Sequence, residues 1–178
     1  MTFSTGIACC TIYRGEIIRG VGFSGEIGQA RFTEKGDRLE QEASGSAIRR
    51  LAESMETDVD SLIQKYLQGD DNPVERLVDQ WSRVIYAIIC LLDPQRLVLG
   101  GGVIRHHPGL LEKVKERLQL YILTEQKVAL ERLVLGSPDG LSGCVGAGML
   151  MWERLDKHEI VERREFGETG KGDRVGSG

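Results

Sequence analysis

The stretch NPVERLVDQWSRVIYAIICLLDP, residues 72–94, leaves room for little but one long helix. Asn72 can cap it, Pro73 suits its first turn, Glu75 can complete a capping box, and Pro94 enforces the stop. Val74, Leu77, Val78, Trp81, Val84, Ile85, Ile88, Ile89 and Leu92 make an apolar stripe too wide for a surface helix. Such a helix must be buried on most sides, so the rest of the chain has to supply the layers around it.

The flanking segments read as those layers. RLVLGGGVI, from residue 96, is a short buried strand running into three glycines. Leu110, Leu111, Val114, Leu118 and Tyr121 repeat at helical spacing, and VALERLVLGS, from residue 128, reads as a second strand. A last helix covers DGLSGCVGAGMLMWERL, where Gly143, Gly146 and Gly148 would let another backbone come close. Upstream, the opening twenty residues are rich in β-branched and aromatic side chains, with breaks at Thr5-Gly6 and Arg14-Gly15. They read as a three-strand antiparallel meander. The chain begins almost inside its first strand, which hints at a missing upstream piece. Two short helices, about 44–68, form a helical insert between meander and long helix. The order predicts an α/β fold in which helices and strands alternate on a mixed sheet, with the continuous apolar runs at 97–99 and 133–135 covered on both faces. One domain over residues 1–156 is expected, and the charged, glycine-rich residues 157–178 are expected to be a disordered tail.

Composition narrows the function classes. A net charge of −4 without a block of Lys and Arg disfavours nucleic acid as a partner. No apolar run reaches the roughly 20 residues of a membrane span, and no secretion signal opens the chain, so a cytoplasmic protein is expected. Cys9, Cys10, Cys90 and Cys144 lie in apolar surroundings without C-x-x-C spacing and are expected to be buried, reduced thiols. His106 and His107 are expected to be exposed loop residues.

Three places can carry chemistry. The Thr5-Gly6 turn presents backbone N–H groups and a hydroxyl as a phosphate cradle does, although ordinary turns use the same dipeptide. Gly100, Gly101 and Gly102 stand at the end of a parallel strand, where open α/β sheets bind ligands and where absent side chains leave room for a flat ring; a tight strand-to-helix connection uses glycine equally. Glu26, among the glycines of GFSGEIGQ, and Glu40, before a helix, can each accept two hydroxyl hydrogen bonds, as sugar recognition requires. A glutamate at a helix start is also a common solvated charge.

In this order the motifs resemble the C-terminal half of the repressor, open-reading-frame and sugar-kinase (ROK) family. STGI resembles its phosphate loop, GEIGQ its Gly-Glu-Ile-Gly-His, LEQEASGSAI its Leu-Glu-x-x-Ala-Ser-Gly-x-Ala-Ile, and LLDPQRLVLGGGV its Leu-Asp-Pro strand and glycine turn, over about residues 1–152. The resemblance implies one lobe of an actin/hexokinase-like (ribonuclease H-like) fold. Thr5 and Gly6 would meet the phosphates of ATP with its Mg, Gly100, Gly101 and Gly102 would adjoin the adenosine, and Glu26, Gln29 and Glu40 would hold a hexose or amino-hexose.

The departures are specific. The family's zinc site uses the histidine replaced here by Gln29 and a cysteine run absent before Glu40, so zinc is not expected. Ala8, Cys9 and Cys10 replace the phosphate loop's later glycines. The family's catalytic aspartate and second phosphate cradle belong to an N-terminal lobe upstream of this chain, and no catalytic residue is assigned among Asp37, Asp70, Asp71 and Asp93. The resemblance therefore implies a kinase lobe inactive alone, the other wall coming from a missing N-terminal lobe. The rival reading is a non-catalytic sugar-sensing or oligomerisation module. Core faces left open would favour a homodimer.

Overall fold

A computed structural model of the chain describes residues 1–31 and 36–156. The tail expected beyond residue 156 lies outside the described residues. The chain divides at Gly140 into two compact units.

The first unit is built on the long helix. This helix, α4, spans Val74–Leu92, between α3 (Val59–Leu67) and strand β5 (Leu97–Leu99). Asn72 Oδ1 accepts the Val74 amide at 2.9 Å while its Nδ2 donates to the Leu62 carbonyl, so one side chain starts α4 and ties it to α3. Glu75 does not close a capping box but ion-pairs with Arg117 across on α6 (Leu110–Leu118), because α6 packs along α4 and brings the cation within reach. At the other end Asp93 adopts a left-handed conformation, φ 38° and ψ 59°, and its amide donates to Ile89 O before Pro94 ends the helix. Ten residues of α4 are buried, including the stripe from Val74 to Ile89 with the polar Gln80 and Ser82, whereas Leu92 at the end of the expected stripe is exposed.

The opening segment forms two hairpins rather than one continuous meander. Strand β1 (Thr2–Phe3) pairs with β2 (Ile7–Ala8), and β3 (Ile12–Tyr13) pairs with β4 (Glu16–Ile17), both antiparallel. The break has a cause: beyond Ala8 the Cys9 amide donates to Gly25 O at 2.8 Å, so the loop, not a strand, takes the next backbone group. On its other side β1 runs parallel to the end of β5, through Met1 N to Val98 O, Gly100 N to Met1 O and Phe3 N to Gly100 O. Strand β5 pairs in parallel with β6 (Leu133–Leu135). The order β2–β1–β5–β6 is thus a mixed sheet.

Coverage of this sheet is one-sided at β5. Leu97 and Leu99 are buried, whereas Val98 is exposed, because neighbouring strand residues point to opposite faces. Residues 128–131, expected to begin the last strand, form instead the short helix α7, Val128–Glu131, whose Ala129 reaches the core. All four cysteines are free; Cys10 and Cys90 are exposed and Cys9 is half-buried, so the apolar sequence around them did not bury them. The second unit contributes α8, Ser142–Asp156, which carries Gly143, Gly146 and Gly148. No helix among the described residues is long and apolar enough to cross a membrane.

Trp81 anchors the core. Its ring packs tilted by 35°, at 4.3 Å, against Phe3 of β1, and its Nε1 donates at 2.7 Å to the carbonyl of Ala43, which ends α1 (Leu39–Ala43). Trp81→Ala is expected to cost about 3–5 kcal/mol, and Trp81→Phe about 1–3 kcal/mol through the donor lost to a buried carbonyl. Urea denaturation followed by circular dichroism measures both.

His107 is buried, not exposed. It follows α5 (Gly102–His106), with Nε2 3.0 Å from Asp60 Oδ1 on α3 and Nδ1 without a partner among the described residues. Burial holds its pKa below the ordinary imidazole value, Asp60 opposing and His106 reinforcing the shift. The unfolded chain therefore binds the proton first, near pH 6.5. The stability carried by neutral His107 is complete above that value and is lost as pH falls toward the lowered folded value. Urea midpoints are expected to fall between pH 8 and pH 5, and His107→Gln to flatten that slope.

Candidate functional site

The turn Ser4-Thr5-Gly6 joins β1 to β2, and every motif picked out from the sequence reaches it or its flanking strands. The Ser4 amide donates to Gly6 O at 2.9 Å, which closes the turn. The helix α2, Gly45–Ser54, begins directly beneath it. Ser44 caps α2 through Oγ to the Ala47 amide, the Gly45 amide donates to Ser4 O at 2.7 Å, and Ser46 Oγ donates to Thr5 O at 3.0 Å. The ASGS sequence therefore caps its own helix and grips the turn with the next two residues.

Glu40 extends from the first turn of α1. It is half-buried rather than a freely solvated charge, and its Oε2 accepts the Ile7 amide at 3.2 Å. The same oxygen explains two glycines. A Cβ on Gly6 would fall 2.3 Å from Glu40 Oε2, and one on Gly28 would lie 3.3 Å from that oxygen and 2.4 Å from Ile7 O. Gly6 is thus bare on the side where the carboxylate packs. Among the described residues the amides of Thr5 and Gly6 make no hydrogen bond, nor does Glu40 Oε1.

The three strand-end glycines differ from one another. Gly101 has φ +91°, and a Cβ there would come within 2.4 Å of Phe3 O. Its bareness serves the close passage of β1. At Gly100 and Gly102 an added Cβ meets nothing within 4 Å, so their missing side chains leave open space. The connection and the ligand-room readings of this motif thus fall on different residues.

Glu26 precedes and Gln29 ends a 3-10 turn, Ile27–Gln29, with exposed side chains that make no hydrogen bond among the described residues. Gly28 between them packs against Ile7 and Glu40, so the turn is docked on the hairpin while the two polar groups face outward into solvent. The structure brings Gly6, Glu40, Gly100 and Gly101 around one hairpin, with Thr5 exposed at its tip. It makes no bond between Glu26 and Glu40. Sequence reading missed Gly28, Gly45 and Ser46 as parts of the site; the Ser-Gly-Ser run at a helix start was the one signal for the last two.

Residues 1–154 match the family model described as the ROK family. The chain belongs to the ROK family. It is 29% identical over 142 residues to an N-acetylmannosamine kinase of Vibrio cholerae, a match covering 72% of this chain and 48% of that protein. In fold it is similar to a ROK family protein from Streptococcus pneumoniae in complex with sucrose, with TM-score 0.70 and 24% identity over 88% of this chain and 58% of that one. It is also similar to the ROK hexokinase from Thermus thermophilus, with TM-score 0.62 and 26% identity over 87% and 57%. The chain spans about half the length of the curated relatives it matches, 44% and 48%.

The glycine geometry predicts unequal tolerance. Gly101→Ala is expected to lose at least about 1–3 kcal/mol, from backbone strain at positive φ. Gly100→Ala is expected to stay within about 0.5 kcal/mol of the parent. Chemical denaturation of the two variants side by side checks the contrast.

Proposed function

We propose that this chain is the C-terminal lobe of a ROK-type, ATP-dependent hexose kinase, an enzyme class that transfers a phosphoryl group to an alcohol. The observation that carries the reading is the shared hairpin: the carboxylate suited to sugar hydroxyls and the glycine strand end suited to a nucleotide are both bonded to the Phe3–Ile7 segment. In this reading the free amides of Thr5 and Gly6 meet the ATP phosphates, and the open space at Gly100 and Gly102 takes the adenosine, with Gly101 fixing the strand end. ATP arrives with its Mg. Glu26, Gln29 and Glu40 hold the sugar, and the match to an N-acetylmannosamine kinase supports an amino-hexose as well as a plain hexose.

The lobe alone does not transfer phosphate in this proposal. No aspartate of the chain stands in the Asn-Asp segment that supplies the family's base, and a carboxylate base beside the accepting hydroxyl is what the chemistry needs. The base and the second phosphate cradle come from an N-terminal lobe. Ile12, Tyr13, Val21, Phe23 and Leu91 are exposed apolar side chains in the first unit, which supports contact with that lobe or with a second copy in a homodimer. The cytoplasm is the proposed location.

Gln29, in place of a metal-binding histidine, favours a second reading: a sugar-responsive module without catalysis. Titration calorimetry of the chain with glucose, N-acetylmannosamine and a non-hydrolysable ATP analogue separates the two. Binding of sugar and nucleotide is the expected result, with Glu26→Ala weakening the sugar about tenfold or more, as loss of a charge-assisted hydrogen bond implies. Sugar binding alone would replace the kinase lobe by the sensor, and no binding of either would overturn both.

A further inference from the structure

We propose that Glu40 is also a positioning residue for the phosphate hairpin, so that one carboxylate couples sugar capture to the placement of the nucleotide loop. The inference rests on the functional reading above but adds a duty to the residue. A group serving only the sugar would point its oxygens at solvent or ligand. Instead Oε2 holds the Ile7 amide, 33 residues away in sequence, directly after the turn whose Thr5 and Gly6 amides are free. Its seat is shaped for it: Gly6 lacks the side chain that would occupy the carboxylate's position, and Gly28, held against the Ile7 carbonyl, packs beside the same oxygen.

The two remaining grips on the turn, Gly45 N to Ser4 O and Ser46 Oγ to Thr5 O, hold carbonyls on its first half. Glu40 holds the amide on its second half. With both halves fixed, the Thr5 and Gly6 N–H groups between them are held in one arrangement. Removing the Glu40 grip frees the second half while leaving the first in place. The other oxygen, Oε1, remains available to accept a sugar hydroxyl. A hydroxyl that draws the carboxylate toward itself changes its hold on Ile7, and linkage requires the effect to be mutual: the sugar alters nucleotide affinity by the same factor that the nucleotide alters sugar affinity.

The test uses the full chain and three substitutions. Glu40→Gln keeps an acceptor at the same length, Glu40→Asp keeps the charge but is one methylene short of Ile7, and Glu40→Ala removes both. Amide exchange followed by nuclear magnetic resonance is expected to quicken about tenfold or more at Ile7 in the Asp and Ala variants, as a lost bond to a charged acceptor implies. Gly45 should stay protected in both, and Gln should restore Ile7 protection. Calorimetry with the ATP analogue, with and without saturating N-acetylmannosamine or glucose, is expected to show a sugar-dependent shift in nucleotide affinity in the parent and none in the Asp variant. Unchanged Ile7 exchange in the Asp variant, or equal nucleotide affinity with and without a sugar that does bind, would overturn the positioning role while leaving the functional reading intact. Absence of sugar binding to the parent would instead remove the functional reading, and the coupling with it.

Discussion

The indole of Trp81 meets β1 on one side and α1 on the other, and the position of the site follows from that double contact. Its ring face lies against Phe3 and its single donor is spent on the Ala43 carbonyl. The long helix therefore does more than fill the interior. It sets the distance between the strand leading into the β1–β2 hairpin and the helix corner that carries Glu40, Ser44, Gly45 and Ser46. An apolar residue could fill the same volume, but only a side chain with a donor at its far end can also satisfy a buried carbonyl.

From that anchor the site assembles by backbone bonds more than by side-chain contacts. Phe3 and Gly100 join β1 to the end of β5, Gly45 joins α2 to the turn, and Cys9 joins β2 to the glycine loop. Glu40 is the side chain that bridges to the hairpin from α1. Bare glycines at positions 25, 28, 45 and 101 are what let these backbones come so close, and Gly6 makes room for the Glu40 carboxylate. Of the candidate glycines, Gly100 and Gly102 are the two at which an added Cβ has no neighbour and open space remains. In the proposed function the free amides, the unspent carboxylate oxygen and the cleared strand end would take an anion, a hydroxyl and a flat ring.

Much of this was legible in the sequence, and the gaps have physical reasons. The long helix announced itself because local signals and burial agreed: Asn72 and Pro94 bound it and its stripe faces the core. Strand β5 was readable from three apolar residues before glycine. The helical turn at Val128–Glu131 was not, since a four-residue segment carries too little periodicity to oppose β propensity. The split of the opening strands depends on a bond between Cys9 and Gly25, sixteen residues apart, which no local pattern encodes. The burial of His107 hinges on the packing of α3 beside the end of α5, and a pair of histidines in a polar stretch gives no hint of that. At the candidate site, residue types singled out segments that meet around one hairpin, but which glycine serves the backbone and which leaves room became visible only in three dimensions.

The packing of Glu40 against Gly6 and Gly28 bears on how such a protein diverges. Positions 6 and 40 cannot drift independently: a side chain gained at Gly6 expels the carboxylate, and a shorter residue at position 40 removes that penalty, whereas Gly28 stays held by the Ile7 carbonyl whatever stands at position 40. The order in which substitutions arrive then matters, because the same alanine is harmful in one genetic background and tolerated in the next. Losing the acid would be the permissive step, after which Gly6 could be replaced and the path back would close.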